Sequence, residues 1–291
     1  MPASRPAPSP APQPTAASRA ARIWRRTRVG GILTVLLFGL LLGTSFVPSS
    51  LPVLAIGAAL SGLLALEFNL MGSFREWRAG AALVAASAAA TLVLLLAPPG
   101  GPMLLYAQAL AAAACVAALL RAAPPMRRAR RPVAIALLAL WLLVPLPAMA
   151  LVRESFGHGG LVALLVLSKV GDIAGFYGGS LFGRRHPFPR ISPGKTTEGC
   201  LASVVVGVAA GAVFAATDVL AGAWWQGMLA GLAINLAAQA GDLFESHIKR
   251  RAGVKDSGPW FGPSGGLLDL ADSLLFSVPA ALFLWPLILP A

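Results

Sequence analysis

Charge is scarce in this 291-residue chain: Asp, Glu, Lys and Arg make up 12% of it. It holds 11 acids, three histidines, two cysteines and two tyrosines. A mean hydropathy of +0.76 with 57% apolar residues excludes an ordinary soluble globular domain. No long polar region follows any of the apolar runs, which leaves room for one membrane domain and none for a separate soluble one. Cys115 and Cys200 lie in separate apolar runs without metal-ligand spacing and read as small core residues. His158, His186 and His247 are too scattered to form a metal or catalytic set.

What fills the chain is hydrocarbon in lengths that suit a bilayer. Nine apolar stretches, at 31–47, 51–70, 79–97, 103–120, 133–152, 159–182, 199–217, 221–243 and 267–289, are each about long enough to cross one. The expected fold is an all-α polytopic membrane protein of about nine transmembrane helices. With a cytoplasmic N-terminus and alternating helices, 21 of the 23 bases fall on one side, leaving Arg153 outside and Lys169 within a span. That is the positive-inside signature, and the basic face would attract anionic lipid head groups. A net charge of +12 raises the question of nucleic acid, but no RNA- or DNA-binding motif accompanies it, so none is expected as a partner.

Residues 1–28 are rich in Pro, Ala, Ser and Arg and contain no acid. They read as a disordered basic tail before a retained first helix, in preference to a transit peptide or the front of a signal peptide. Residues 29–152 are Leu/Ala/Val-rich, and Glu67 is the one acid within their spans. Eight of the 11 acids follow residue 170. The front half therefore reads as transmembrane scaffold and 153–291 as the catalytic region.

Three residue groups carry chemistry. The first, Lys169-Val170-Gly171-Asp172, puts a base and an acid three apart on one helical face. It reads either as a helix-packing ion pair or as the wall of a polar cavity open to the cytoplasm, lined by Asp172. The second, Ile191-Ser192-Pro193-Gly194-Lys195-Thr196, offers hydroxyls, a glycine and a lysine just before a helix start, a setting suited to phosphate oxygens or simply a capped turn. Its glycine spacing is not that of a Walker P-loop. The third joins the eighth and ninth spans. Asp242 and Glu245 are expected at the end of one helix, and Asp269 and Asp272 at the start of the next, with Asp256 between them. Such a carboxylate set suits Mg²⁺, and Lys249, Arg250, Arg251 and Lys255 would face phosphate. Trp224, Trp225 and Trp285 read as interface anchors or packing, while Trp260 stays open because it sits inside the charged loop.

The third group resembles the signature of the phosphatidate cytidylyltransferases (CDP-diacylglycerol synthases). Ser246, Lys249, Arg250, Lys255, Asp256, Gly258, Gly265, Gly266, Leu267, Asp269 and Asp272 match it without a gap. The Asp172 segment, the 191–196 stretch and Gly241-Asp242 are also similar to family motifs. Ser264 stands where the signature has histidine, Leu270 where it has arginine, and Gly262-Pro263 inverts the usual order. The loss of an arginine removes a bidentate phosphate donor, which bears on catalytic efficiency and on the lipid accepted.

The resemblance implies CMP transfer from CTP to phosphatidate, with Mg²⁺ and a possible second cation, in a multi-pass protein of a bacterial inner membrane. It implies metal ligation by Asp242, Asp256, Asp269 and Asp272. It implies substrate binding by Ser192, Lys195, Thr196, Ser246, Lys249, Arg250, Lys255, Gly265 and Gly266. The expected catalytic set is Asp172, Lys195, Lys249, Asp256 and Asp269. Membrane lipids and a homodimer partner are also implied. Alternatives are a CTP-dependent polyprenol-type kinase, a cytidylyltransferase for another lipid phosphate, a transporter, or a non-catalytic paralogue. Against transport, no inverted internal repeat is visible and Lys169 and Asp172 are the only midspan hint.

Overall fold

The computed structural model describes residues 39, 43, 44, 47, 49–68, 71, 141–261 and 265–290. The basic tail, the spans expected at 79–97 and 103–120, most of that at 31–47, the bases Arg75, Arg78 and Arg121 to Arg131, Cys115, and Ser264 with Gly262-Pro263 lie outside the described residues. Within them there is no strand. The helices are α1 (Leu51–Phe68), α2 (Pro145–Phe182), α3 (Thr197–Ala216), α4 (Trp224–Ala252), α5 (Leu267–Ala271) and α6 (Leu274–Ile288). With α5 and α6 taken as one segment, five are long and apolar enough to cross a membrane. Among the described residues the protein is thus all-α, and its apolar helices make it a multi-pass membrane protein.

Two boundaries differ from those read in the sequence. The spans expected at 133–152 and 159–182 meet in α2, which begins at Pro145 after the N-cap Val144 and breaks only at Gly157 (φ 69°, ψ −174°). That backbone geometry is open to glycine and closed to residues with a Cβ. The eighth span does not end at 243: α4 continues to Ala252, so Asp242 and Glu245 sit inside the helix and not at its end. Hydropathy falls where the apolar run stops, but Leu243 to Ala252 still favour helix, and Lys249, Arg250 and Arg251 complement the negative end of the dipole. Gly253 (φ 76°) closes α4, with its amide on the Arg250 carbonyl and that of Val254 on the Lys249 carbonyl.

Close packing is set by small residues. Along the α3–α4 contact, Gly207 and Gly211 face Gly231 and Gly227, and a Cβ built on Gly211 would lie 2.1 Å from the Gly227 carbonyl oxygen. Helices in lipid associate through such backbone-to-backbone approach, because lipid tails remove the hydrophobic drive between them. The opposite face of α3 carries Leu201, Val205 and Val213, all exposed, as suits a surface solvated by acyl chains. Trp285 of α6 is fully buried, edge-on to Phe156, so it packs the core, whereas Trp224 and Trp225 lie exposed at the start of α4.

Arg153, the base that the positive-inside pattern left over, has a structural partner. Its guanidinium donates to the carbonyls of Ser49 (2.9 Å) and Val47 (2.6 Å), closing the turn that opens α1 against α2. The glycine contact yields the first prediction. Gly211→Leu must push α3 and α4 apart, an overpacking cost of about 1–3 kcal/mol. A lowered thermal midpoint of the detergent-solubilised protein is expected, while Val213→Leu on the exposed face leaves it unchanged.

Candidate active site

A second glycine brings the acids together. Gly241 leaves α4 without a side chain where the α5–α6 junction crosses it, and a Cβ there would lie 2.5 Å from the Asp272 carbonyl oxygen. Asp242, Glu245 and Asp272 are thereby drawn into one group, each offering a carboxylate oxygen within 4.8 Å of the others. Asp242 and Glu245 share a face of α4 by their three-residue spacing. Asp272 lies at the junction where α5 gives way to α6.

Three lysines tie these acids to the surrounding helices. Lys195, from the loop before α3, reaches Asp242 at 2.9 Å. Lys169 of α2 lies 3.7 Å from Asp172 and 3.9 Å from Asp272. Its ammonium also donates to the Leu270 carbonyl (2.6 Å) and the Ser273 hydroxyl (2.7 Å), and so occupies a carbonyl at the helix break. Lys249 of α4 pairs with Glu245 at 2.7 Å and with Asp269. Five carboxylates against three ammonium groups leave a formal excess of two negative charges. Glu245 is fully buried; its Oε1 faces Lys249 outside hydrogen-bond geometry, and its Oε2 has no partner. An orphaned, buried carboxylate oxygen beside two further carboxylates is a donor set that a hard divalent cation fits.

Asp269 faces elsewhere. One of its oxygens pairs with Lys249, while Oδ2 accepts from the Ser257 amide (2.9 Å), the Ser257 hydroxyl (2.6 Å) and the Gly266 amide (2.8 Å). Next to it stands a residue that the sequence reading left in the scaffold. Glu67 of α1 meets the Ser257 hydroxyl with Oε1, and its Oε2 accepts from the amides of Leu267 (2.7 Å) and Leu268 (3.2 Å). The loop glycines make room for these two carboxylates: a Cβ on Gly266 would collide with Glu67 Oε1, and one on Gly265 (φ 82°) would lie 2.2 Å from Asp269 Oδ2.

The remaining expected residues are placed as follows. Ser246 donates to Asp242 at 3.4 Å and is almost buried. Asp172 belongs to the cluster, close enough to Asp242 and Asp272 to feel their charge. Thr196 is buried as the N-cap of α3, its hydroxyl accepting the Gly199 amide, and the Thr197 amide goes to the Arg185 carbonyl. The first-turn amides of Thr197, Gly199 and Cys200 are therefore taken within the chain, so what this loop aims at the cluster is the Lys195 side chain. Ser192 is half-buried on the same loop. Arg250 is exposed and reaches the Ile191 carbonyl at 3.4 Å, linking α4 to that loop. Lys255 and Asp256 are exposed, and Asp256 is not one of the three grouped acids. Of the four acids expected at a metal, Asp242 and Asp272 come together; Glu245 completes the group where Asp256 and Asp269 were expected. The signal for Glu245 was present in its spacing from Asp242. That for Glu67 was its isolation, one acid at the end of an apolar helix.

Comparison with known proteins bears on the family of the chain. A model of the cytidylyltransferase family matches residues 24–288. A phosphatidate cytidylyltransferase of Helicobacter pylori (strain J99) is 42% identical over 125 residues, 43% of this chain and 46% of that protein. One from Mycobacterium leprae is 36% identical over 158 residues, 53% of this chain and 49% of that protein. Escherichia coli K12 holds a relative named only as uncharacterized protein YnbB, 39% identical over 147 residues, 48% of this chain and 46% of that protein. The chain thus spans about half the length of the curated relatives it matches. With the family model covering nearly the whole chain, it belongs to the cytidylyltransferase family.

Proposed function

We propose that the protein transfers CMP from CTP to phosphatidate, forming CDP-diacylglycerol and pyrophosphate. The observation that carries this reading is the group formed by Asp242, Glu245 and Asp272, bordered by Lys169, Lys195 and Lys249 and sunk between apolar helices. The names of the Helicobacter and Mycobacterium relatives support the choice of nucleotide and lipid. Both reactants are anions, and their phosphates repel until cationic groups hold them together. Asp242, Glu245 and Asp272 would hold Mg²⁺, which supplies neutralisation of the triphosphate and polarisation of its α-phosphate. A second cation would have to share these carboxylates and Asp172.

The chain's own groups do the rest. Lys195 and Lys249, with Arg250 and Lys255 at the rim, would bind phosphate oxygens, and Ser192 and Ser246 would support them. The phosphatidate oxygen bonds to the α-phosphorus of CTP as the bond to the β-phosphate oxygen breaks and pyrophosphate leaves. Alignment and charge stabilisation supply the rate, and no covalent nucleophile on the protein takes part. Asp269, held by four donors, would orient Lys249 and the glycine loop. The remaining expected spans, a cytoplasmic N-terminus, a cavity open to the cytoplasm, a bacterial inner-membrane location and a homodimer all belong to this proposal. The sorting of bases in the sequence supports the spans and their orientation, and the resemblance to the phosphatidate cytidylyltransferases supports the membrane location and the homodimer.

Two outcomes test it. Purified protein given labelled CTP, phosphatidate and Mg²⁺ is expected to release pyrophosphate and label a CDP-lipid; release of CDP with a phosphorylated lipid would identify a kinase instead. Asp242→Asn and Asp272→Asn are each expected to lower that rate about 100-fold or more in folded protein, the scale of losing a metal-supported step. A full rate in either variant removes that residue from the cation site.

A further inference from the structure

The glycines at 258 and 266 leave the backbone open to something close, and in the structure the group admitted is Glu67. Its carboxylate arrives from a helix about 200 residues away in sequence, is fully buried, accepts from the amides of Leu267 and Leu268 and lies against the Ser257 hydroxyl. Those two amides belong to the first turn of α5, where a helix has no internal acceptors. A carboxylate from another helix therefore completes the end of the segment that bears Asp269 and Asp272. The Ser257 hydroxyl stands between Glu67 and Asp269, so the chain Glu67–Ser257–Asp269–Lys249–Glu245 is continuous from α1 to the carboxylate group.

We propose that Glu67 is a positioning residue for cytidylyl transfer: it fixes Ser257 and the first turn of α5, and through them the places of Asp269 and Asp272. This rests on the reading of the carboxylate group as the reaction centre. Glu67 touches none of the three acids of that group, so it acts through the segment it holds. The rival role for the same geometry is a placeholder, a carboxylate occupying a cradle that a substrate phosphate would take. The two differ in sign. Removing a positioning group slows turnover, whereas removing a placeholder tightens substrate binding.

The test is Glu67→Ala and Glu67→Gln in the full chain, purified in detergent. Glutamine keeps an acceptor for the two amides and a partner for Ser257; alanine keeps neither. In Glu67→Ala we expect kcat to fall about 10–100-fold, the range for groups that orient a site's ligands, with the KM for CTP changed less than about threefold. Glutamine should restore most of the rate. Hydrogen exchange on peptides covering 265–272 should speed at least about tenfold in the alanine variant and stay near the parent in glutamine. A wild-type rate with unchanged exchange in Glu67→Ala overturns the proposal, as does a lowered KM for CTP, which assigns the placeholder role. If the parent protein shows no CMP transfer while exchange still quickens, the proposed activity fails and the positioning of the α5 segment stands. Should Glu67→Ala not fold, Ser257→Ala breaks the same chain at its next link and is read by the same measurements.

Discussion

Charge placed among apolar helices has to be answered by charge, and that constraint organises the second half of this chain. A carboxylate taken out of water loses several kcal/mol of hydration that only well-placed partners return. Here two of the three lysines serve acids in two places. Lys169 lies between Asp172 on its own helix and Asp272 at the α5–α6 junction, and Lys249 between Glu245 on its own helix and Asp269 on α5. Lys195 brings the loop before α3 onto α4 through Asp242. The ammonium groups are thus the cross-links of the site. Helix packing and ion pairing become one problem, because the Lys169–Asp272, Lys195–Asp242 and Lys249–Asp269 pairs form only where separate segments touch.

The backbone solves that problem with absences of side chain. Gly241 lets the α5–α6 junction lie against α4 beside Asp242, and Gly266 lets Glu67 reach the turn that carries Asp269. At the junction the interruption after Ala271 leaves the Leu270 carbonyl to Lys169. A regular helix would have used that oxygen internally. The break therefore creates an acceptor within the bundle at the depth where the acids gather, which is where irregular backbone is tolerated in a membrane protein.

Much of this was readable in the residues, in proportion to how local the cause is. Helix class and span positions follow from runs of hydrocarbon, a property of neighbours in sequence, and the described helices fall on those runs. The reach of α4 to Ala252 was missed because hydropathy measures solvent preference, and a helix outlasts its apolar face when its last turn carries Lys249, Arg250 and Arg251. The composition of the acid group was half legible. Asp242 and Asp272 were marked by motif, but which of Glu245, Asp256 and Asp269 joins them depends on where a loop folds back. Asp256 ended exposed and Asp269 was claimed by Lys249, Ser257 and Gly266. Glu67 was legible only as an oddity, since nothing within its own helix says what a buried acid there will meet.

The departure at Leu270 from the phosphatidate cytidylyltransferase signature takes on a definite meaning in this geometry. What residue 270 gives to the cluster is its carbonyl, bound by Lys169, and a backbone oxygen is indifferent to the side chain it follows. The change from arginine therefore removes a cation from the neighbourhood without disturbing the acids. Glu245 points the same way. Its Oε2 is buried with no partner while Oε1 faces Lys249, so the carboxylate is only half answered within the chain. Its presence, with Asp242 and Asp272 drawn up beside it, is the physical ground for reading the group as a working site.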